Sequence, residues 1–562
     1  MFLSLFLTCF TCLVTATILL VLLGHRIRFA FRPIGLALTV ALALGGGEVA
    51  AAVWRLPARY VQRGELVIVG SGLLVVLLRR RWNPIGQAFF ATLVASVLTY
   101  LAFAAYITVA GGLSFLGSVA SGILFLFELM ALFLAVSFAF ESIDVLCRTR
   151  WDRPFPTSDP SYRPKVSLQI AAYNEPPDML IETIKSVEAI DYPDFEVVVI
   201  DNNTADPDVW KPVERYCRNR PRVKFVHVEN LSGYKAGALN LALRDHSDPD
   251  TELIGVIDAD YRVDPNYLKD VVGYFADPDL AFLQTPQDYR EFEGDPYLTA
   301  CYDAYKYFFV TAMPSRNDRN SLIFAGTMGL LRRSILDKLG GWDEWTITED
   351  AETSLRMLKE GYSGLYIAQP YGQGIMPLTF AAFKSQRFRW CFGGMQIMRR
   401  HWRDLMPWNR DPGNHLTFGQ RMDYLLSGLQ WMNDLIYLGF TLVLLTTAAL
   451  LLTKGRVGIR PLLGAAVLLP SALLASGLLR AMWALRRRMG IGTRRALLAF
   501  ANWLSVSWTV SLACLQGLIR SEGVFLRTPK SAEQHGLLSA MWAARTETVL
   551  ACGLWGAGAM WR

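Results

Sequence analysis

Apolar residues in this chain gather toward its two ends. Runs at 2–24, 34–53, 60–78, 85–109 and 113–140 approach the ~20 residues that carry a helix across a bilayer core. After a long middle section, 429–453 and 461–483 repeat the pattern as an out-and-back pair. Segment 496–519 is apolar but interrupted by Asn502, Ser505, Ser507, Thr509, Ser511 and Gln516, and 548–561 is short for a span.

The middle has a different rhythm. Nearly continuous β-rich apolar runs at 166–170, 195–200, 223–228, 253–257 and 280–285 alternate with helix-period segments at 179–190, 207–219, 235–244 and 266–275. Strands that are apolar on both faces, alternating with amphipathic helices, predict a mostly parallel sheet covered on both sides. Three parts follow. Residues 1–145 form an N-terminal transmembrane region of about five helices. Residues 160–400 form a Rossmann-like α/β domain inserted between helical membrane blocks. Residues 401–562 hold interfacial and transmembrane helices.

Charge refines this plan. The chain has 562 residues, 52% of them hydrophobic, and a formal net charge of +7. The basic residues cluster beside apolar runs, at Arg26 and Arg28, Arg79 to Arg81, Arg148 to Arg153 and Arg486 to Arg488, as cytoplasmic loops do. No basic-aromatic recognition module is visible, so nucleic acid is not an expected partner. Five spans starting outside put the α/β domain in the cytoplasm, although Arg55, Arg59 and Arg63 then fall on the wrong side. The eight cysteines form no metal or disulfide framework, and Cys9 and Cys12, spaced C-x-x-C, lie in an apolar run.

Ligands of parallel sheets bind at the carboxyl ends of the strands, and Asp201, Asp258 and Asp260 fall there. Asp258 and Asp260, two residues apart, could hold a hard divalent cation that bridges a diphosphate, or form an acidic turn. Thr348-Glu349-Asp350 opens a helix at 349–360; it reads as an N-cap with first-turn acids, or as a general base at Asp350 for an acceptor hydroxyl. In Gln386-Arg387-Phe388-Arg389-Trp390, Arg389 could neutralise a diphosphate and Trp390 could stack on a sugar, or both could belong to an interfacial helix. Lys235 to Asn240 puts small residues and a cation at a helix start, suited to a phosphate or to tight helix–sheet packing.

The order of these elements resembles the family 2 glycosyltransferases, with D, D-x-D, T-E-D and Q-x-x-R-W motifs on a GT-A fold. The flanking membrane blocks resemble the processive members, such as cellulose, chitin and hyaluronan synthases. The resemblance implies that Ala172, Tyr173, Glu175 and Asp201 contact the nucleoside, Lys235 faces the nucleotide, and Asp258 and Asp260 bind UDP with Mg²⁺ or Mn²⁺. It makes Asp350 the catalytic base, Gln386 and Arg389 the pyrophosphate ligands, and Glu349 and Trp390 acceptor residues. Phe324-Ala325-Gly326-Thr327 resembles the F-x-G-[ST] acceptor segment of cellulose synthases, which implies roles for Phe324, Gly326 and Thr327.

Residues 523–532, with Phe525, Thr528 and Lys530, resemble the cellulose synthase gating loop, with Arg527 replacing a usual Val. That loop closes over UDP in the cytoplasm, so 496–519 is expected to be interfacial or re-entrant. The stretches Asp201 to Thr204, Gln284 to Tyr289 and Gly326 to Met328 resemble bacterial β-glucan synthases, including the β-1,3 group, which implies UDP-glucose as donor. It also implies a growing polysaccharide as acceptor and a multi-pass location in a bacterial inner membrane, in contact with lipid. Residues 537–561 offer room for one further span, which leaves an accessory subunit or a homo-oligomer to complete a channel. Rival readings are a chitin- or hyaluronan-type synthase using UDP-GlcNAc, a non-processive lipid-linked sugar transferase, and a transporter with a regulatory domain.

Overall fold

A computed structural model of the chain describes residues 1–454, 465–520, 523, 542 and 544–560. The chain divides into two compact units, Met1–Asp152 with Asn433–Phe500, and Arg153–Met432 with Ala501–Arg562.

In the first unit, helices α1 (Phe2–Leu23), α2 (Arg32–Trp54), α3 (Ala58–Leu78), α4 (Pro84–Ala110) and α5 (Phe115–Leu146) stand where the five apolar runs predict them. Local chemistry sets their ends. The Asn83 side chain accepts from the Gly86 N–H at 2.9 Å, capping α4, and its amide donates to the carbonyls of Gly24 and Ile27, tying that cap to the end of α1. Cys9 and Cys12 are buried free thiols. A Cβ on Gly46 would lie 2.4 Å from Cys12 Sγ, so this C-x-x-C serves close helix packing.

The second unit is built on a seven-stranded sheet of order β3-β2-β1-β4-β8-β6-β9. The strands are β1 (Val166–Ala172), β2 (Phe195–Asn202), β3 (Val223–Val228), β4 (Leu253–Val256), β6 (Leu280–Gln284), β8 (Gly329–Arg332) and β9 (Ser363–Tyr366). A second sheet, β5 (Arg262–Val263), β10 (Gly372–Ile375) and β7 (Asp288–Arg290), has β10 in the middle. The large sheet is parallel except for β8, which runs antiparallel to both β4 and β6. Val166, Leu168, Ile170, Val197 and Val199 are buried in its core, each contributing about 1.5–3 kcal/mol.

Helices α6 (Pro177–Glu188), α7 (Pro207–Cys217), α8 (Tyr234–Leu241), α9 (Tyr267–Val271), α10 (Pro296–Tyr307), α11 (Met313–Asp318), α12 (Arg333–Lys338) and α13 (Glu349–Lys359) complete this layer. Leu180, Thr183, Ile184 and Val187 show the i, i+3, i+4, i+7 face that seats α6. The long α14 (Phe380–Leu405) is capped by Thr379, whose Oγ1 accepts from the Ala382 N–H.

Beyond α14 come α15 (Phe418–Lys454), α16 (Ala465–Met489), α17 (Thr493–Leu504), α18 (Ser507–Ile519) and α19 (Arg545–Met560). α18 packs closely on α14: a Cβ on Gly517 would meet Met395 Cβ at 2.7 Å and the Phe392 carbonyl at 2.8 Å. Among the described residues, α1 to α5 and Phe418–Thr447 are long and apolar enough to cross a membrane; α17 and α18 meet at a 41° bend and make a seventh if counted as one span. The break at Ser505 falls in the polar-interrupted segment singled out by the sequence.

Candidate active site

β1, β2 and β4 run parallel and end together, with Ala172 opposite Asp201 in the register. β8 enters beside them in the opposite sense, Gly329 opposite Val256, so residues 324–328 lie against the end of β4. A cleft of about 470 Å³ opens there, walled also by the starts of α8 and α13, by β10 and by α14. Twelve of the sequence-predicted residues line it: Ala172, Tyr173, Glu175, Lys235, Asp258, Asp260, Gly326, Glu349, Asp350, Gln386, Arg389 and Trp390.

At its centre, Lys235 Nζ sits 2.5 Å from Asp258 Oδ1 and donates to the Gly326 carbonyl at 2.9 Å. Burial lowers the ammonium's pKa, but the carboxylates of Asp258, Glu349 and Asp350 outweigh it and the net shift is upward. Asp258 is 38% exposed, and its N–H donates to Thr327 Oγ1 at 3.0 Å. Asp260 is more deeply set. Its Oδ2 accepts from the Ile375 N–H at 2.8 Å, while Arg290 donates to the Asp260 and Gln373 carbonyls. The small sheet is therefore the seat of Asp260.

Glu349 and Asp350 start α13. Thr348 makes no side-chain cap, contrary to the capping reading, and Glu349 is buried. Burial, then the charge of Asp350, pushes the Glu349 carboxyl up to about 7. Burial also raises Asp350, against the pull of Lys235 and of its bond from the Ala351 N–H. Arg389 is held among these acids: burial lowers its pKa, while Asp258, Glu349 and Asp350 oppose the shift. Tyr305 donates to Gln386 Oε1, and its ring stands edge-on to Trp390 at 5.4 Å.

Three predicted residues do not line the cleft. Asp201, expected to touch the nucleoside, is 3% exposed. It accepts from Thr204 Oγ1 and pairs with His227 Nδ1, each at 2.7 Å, and His227 stacks on Trp210. Thr204 in turn accepts from the Asn174 N–H, so Asp201 braces the loop that carries Tyr173 and Glu175. Phe324, expected at the acceptor site, is wholly buried against Phe282 and Trp342. Thr327 is buried too and holds the Asp258 backbone. Phe525, Thr528 and Lys530 lie outside the described residues.

Cleft residues that the sequence reasoning did not single out include Asn202, Asn203, Tyr234, Gln287 and Tyr289. Gln287 donates to the Ala325 carbonyl, and Gln284 grips the same segment through the Ala325 N–H and the Thr327 carbonyl. The stretches Asp201 to Thr204 and Gln284 to Tyr289 carry the resemblance to glucan synthases, which by itself implies no role for Asn202, Asn203, Gln287 or Tyr289.

Among the described residues no group of three or more His, Cys, Asp or Glu could hold a metal by itself. Asp258 and Asp260 nonetheless present acidic oxygens at the cleft floor, and Asp258 already draws a cation, the Lys235 ammonium. Two carboxylates of this kind fit a divalent ion whose remaining ligands come from a phosphate and water.

The cleft at the strand ends of this mostly parallel sheet thus gathers carboxylates, an Arg and a Trp. Residues 164–393 match the profile of "Glycosyltransferase like family 2", so the α/β part of the chain is similar to that family. It is 30% identical over 292 residues to the cellulose synthase catalytic subunit [UDP-forming] of Pseudomonas fluorescens, covering 50% of this chain and 37% of that one. It is 28% identical over 246 residues to glucomannan 4-beta-mannosyltransferase 7 of Arabidopsis thaliana, covering 42% and 44%. It is also 28% identical over 309 residues to cellulose synthase 1 catalytic subunit of Komagataeibacter xylinus, covering 54% and 39%. The matches thus span less than half the length of these relatives. A looser likeness in solved structures is to the mannosyltransferase PcManGT of Pyrobaculum calidifontis in complex with GDP-Man and Mn²⁺, at 20% identity and TM-score 0.48, covering 71% of this chain and 98% of that one.

Proposed function

We propose that this chain is an inverting, processive membrane glycosyltransferase that polymerises glucose from UDP-glucose into a β-glucan, β-1,3-linked, and passes the polymer across a bacterial inner membrane. The observation that carries the reading is the meeting of Asp258, Asp260, Asp350, Arg389 and Trp390 in one cleft.

In this reading the residues divide the work. Asp350 takes the proton from the acceptor hydroxyl. The freed oxygen attacks the anomeric carbon from the face opposite the diphosphate, the bond to the diphosphate oxygen breaks, and the configuration inverts. A base raised by burial is a stronger proton acceptor than a surface aspartate. Lys235, Gln386 and Arg389 meet the charge that develops on the leaving diphosphate. Tyr173 and Glu175 border the nucleoside, and Trp390 offers its face to the acceptor sugar beside Gly326 and Glu349. Asp258 and Asp260 would hold Mg²⁺ or Mn²⁺, and such an ion, when bound, supplies charge neutralisation to the diphosphate.

In this reading Asp201 keeps the nucleoside loop in place, and an accessory subunit or second copy completes the route for the polymer. The Arabidopsis relative favours a second reading, in which the donor sugar is mannose.

The deciding experiment incubates full-length protein in nanodiscs with Mg²⁺ or Mn²⁺ and UDP-glucose, UDP-GlcNAc or GDP-mannose, then digests the product with linkage-specific glycosidases. A polymer made from UDP-glucose and cut by a β-1,3-glucanase is the expected result. A single sugar added to lipid, or no transfer from any donor, refutes it.

A further inference from the structure

Arg387 lies on α14 between the cleft residues Gln386 and Arg389, three residues from Trp390, and none of the roles above uses it. Its side chain is buried, and its Nη2 has no hydrogen-bond partner among the described residues. What surrounds the guanidinium is aromatic: Tyr305 at 4.6 Å, Trp503 at 4.9 Å, Trp390 at 5.1 Å and Phe383 at 5.2 Å from ring centroid to Cζ. No ion pair to it exists among the described residues. A buried cation without a carboxylate is costly, and π faces offset that cost only while the rings stay in place. The guanidinium and the rings therefore hold one another in a single arrangement.

That arrangement reaches the chemistry twice. Trp390 lines the cleft with the guanidinium against its ring, and Tyr305, which carries the same guanidinium, donates the hydrogen bond that orients Gln386. Trp503 extends the contact to the last residues of α17, at the break before α18.

We propose that Arg387 is a positioning residue for sugar transfer: a cation clasped by four aromatic rings that sets Trp390 directly and Gln386 through Tyr305, and ties both to Trp503. The proposal rests on the reading that this cleft transfers sugar to an acceptor lying on Trp390. Arg387 touches neither donor nor acceptor. Its loss disturbs the acceptor platform and the contact of Gln386 with the leaving diphosphate, while Asp258 and Asp260, which it does not touch, stay in place.

The test uses the full chain in nanodiscs with Arg387→Met, Arg387→Lys and Trp503→Leu. Expected for Arg387→Met is a kcat about 10- to 100-fold lower with the donor KM within about twofold of wild type, the size of effect a misplaced platform produces. Arg387→Lys, which keeps the charge, recovers part of the rate, and Trp503→Leu falls between. Acrylamide quenching of Trp390, taken as the difference from matched Trp390→Phe proteins, rises in Arg387→Met; this readout needs no turnover. If Arg387→Met does not fold, the lysine and Trp503 variants carry the same comparison. A folded variant set with wild-type kcat and unchanged quenching overturns the proposal. So does a loss of folded fraction alone, with kcat per folded molecule unaltered. A wild type that turns over no donor refutes the parent reading, while a quenching difference still supports the positioning role.

Discussion

Gly326 and Asp350 touch so closely that no side chain fits between them: a Cβ on Gly326 would lie 2.3 Å from Asp350 Oδ2. Gly326 also has φ +77°, a conformation that costs an L-residue roughly 1–2 kcal/mol. Gly326→Ala therefore strains the turn and displaces the carboxylate at once. A folded protein with kcat reduced at least about tenfold is the expected outcome, with a smaller change in donor KM. Steady-state transfer with thermal unfolding alongside checks it, and a wild-type rate would separate Gly326 from the chemistry.

Asp350→Asn removes the proposed base and keeps the shape. Transfer should fall by about 10²–10⁴-fold, the range of general-base contributions. Nucleotide binding, measured by calorimetry with UDP and Mn²⁺, should persist, because Lys235, Asp258 and Asp260 are untouched. Retained synthesis would refute the assignment.

Glu349 predicts a pH dependence of stability. Its folded pKa of about 7 lies above the ordinary carboxyl value of 4.5, through burial first and the Asp350 charge second. Between those values the folded state holds more protons than the unfolded one, so stability falls as pH rises through the window and the loss is complete above it. Glu349→Gln should flatten that decline between pH 4.5 and 7. Melting temperatures across this range report it, and an unchanged slope would show that other groups govern the trend.

Arg290 predicts a selective effect on metal. It donates to the main chain of Asp260 and to Gln373 from a buried position. Arg290→Gln leaves both carboxylates but loosens the segment that carries Asp260. The Mn²⁺ concentration for half-maximal activity should rise several-fold, with a smaller change in maximal rate at saturating metal. EDTA should abolish turnover in both proteins, and equal metal curves would contradict the role.

How far the sequence could be read depended on the range of the signal. The strands at 195–200 and 253–257 are predicted to within two residues because apolar β-branched runs report burial on both faces, while 223–228 matches residue for residue although it is a half-buried edge strand. β8, β9 and the small sheet were missed. They are two to four residues long and carry Gly, Arg, Ser, Asp or Gln where β4, equally short, is Leu-Ile-Gly-Val within a longer apolar run, so no apolar pattern marks them. Asp201 shows the same limit at the site: its place at a strand end was legible, but its bonds to Thr204 and His227 needed the fold.

Residue order along the chain, by itself, determined the membrane-length helices, the alternating α/β middle and the identity of the acidic and basic groups at strand and helix ends. These are properties of one element at a time, carried by the spacing of apolar positions. Tertiary structure alone decided which groups meet. It brought Lys235 to Asp258 and Gly326, turned Phe324 and Thr327 inward while leaving Gly326 in the cleft, and enclosed Arg387 among rings from distant parts of the chain. Such meetings depend on strand register and helix packing, where a shift of one residue turns a side chain to the other face.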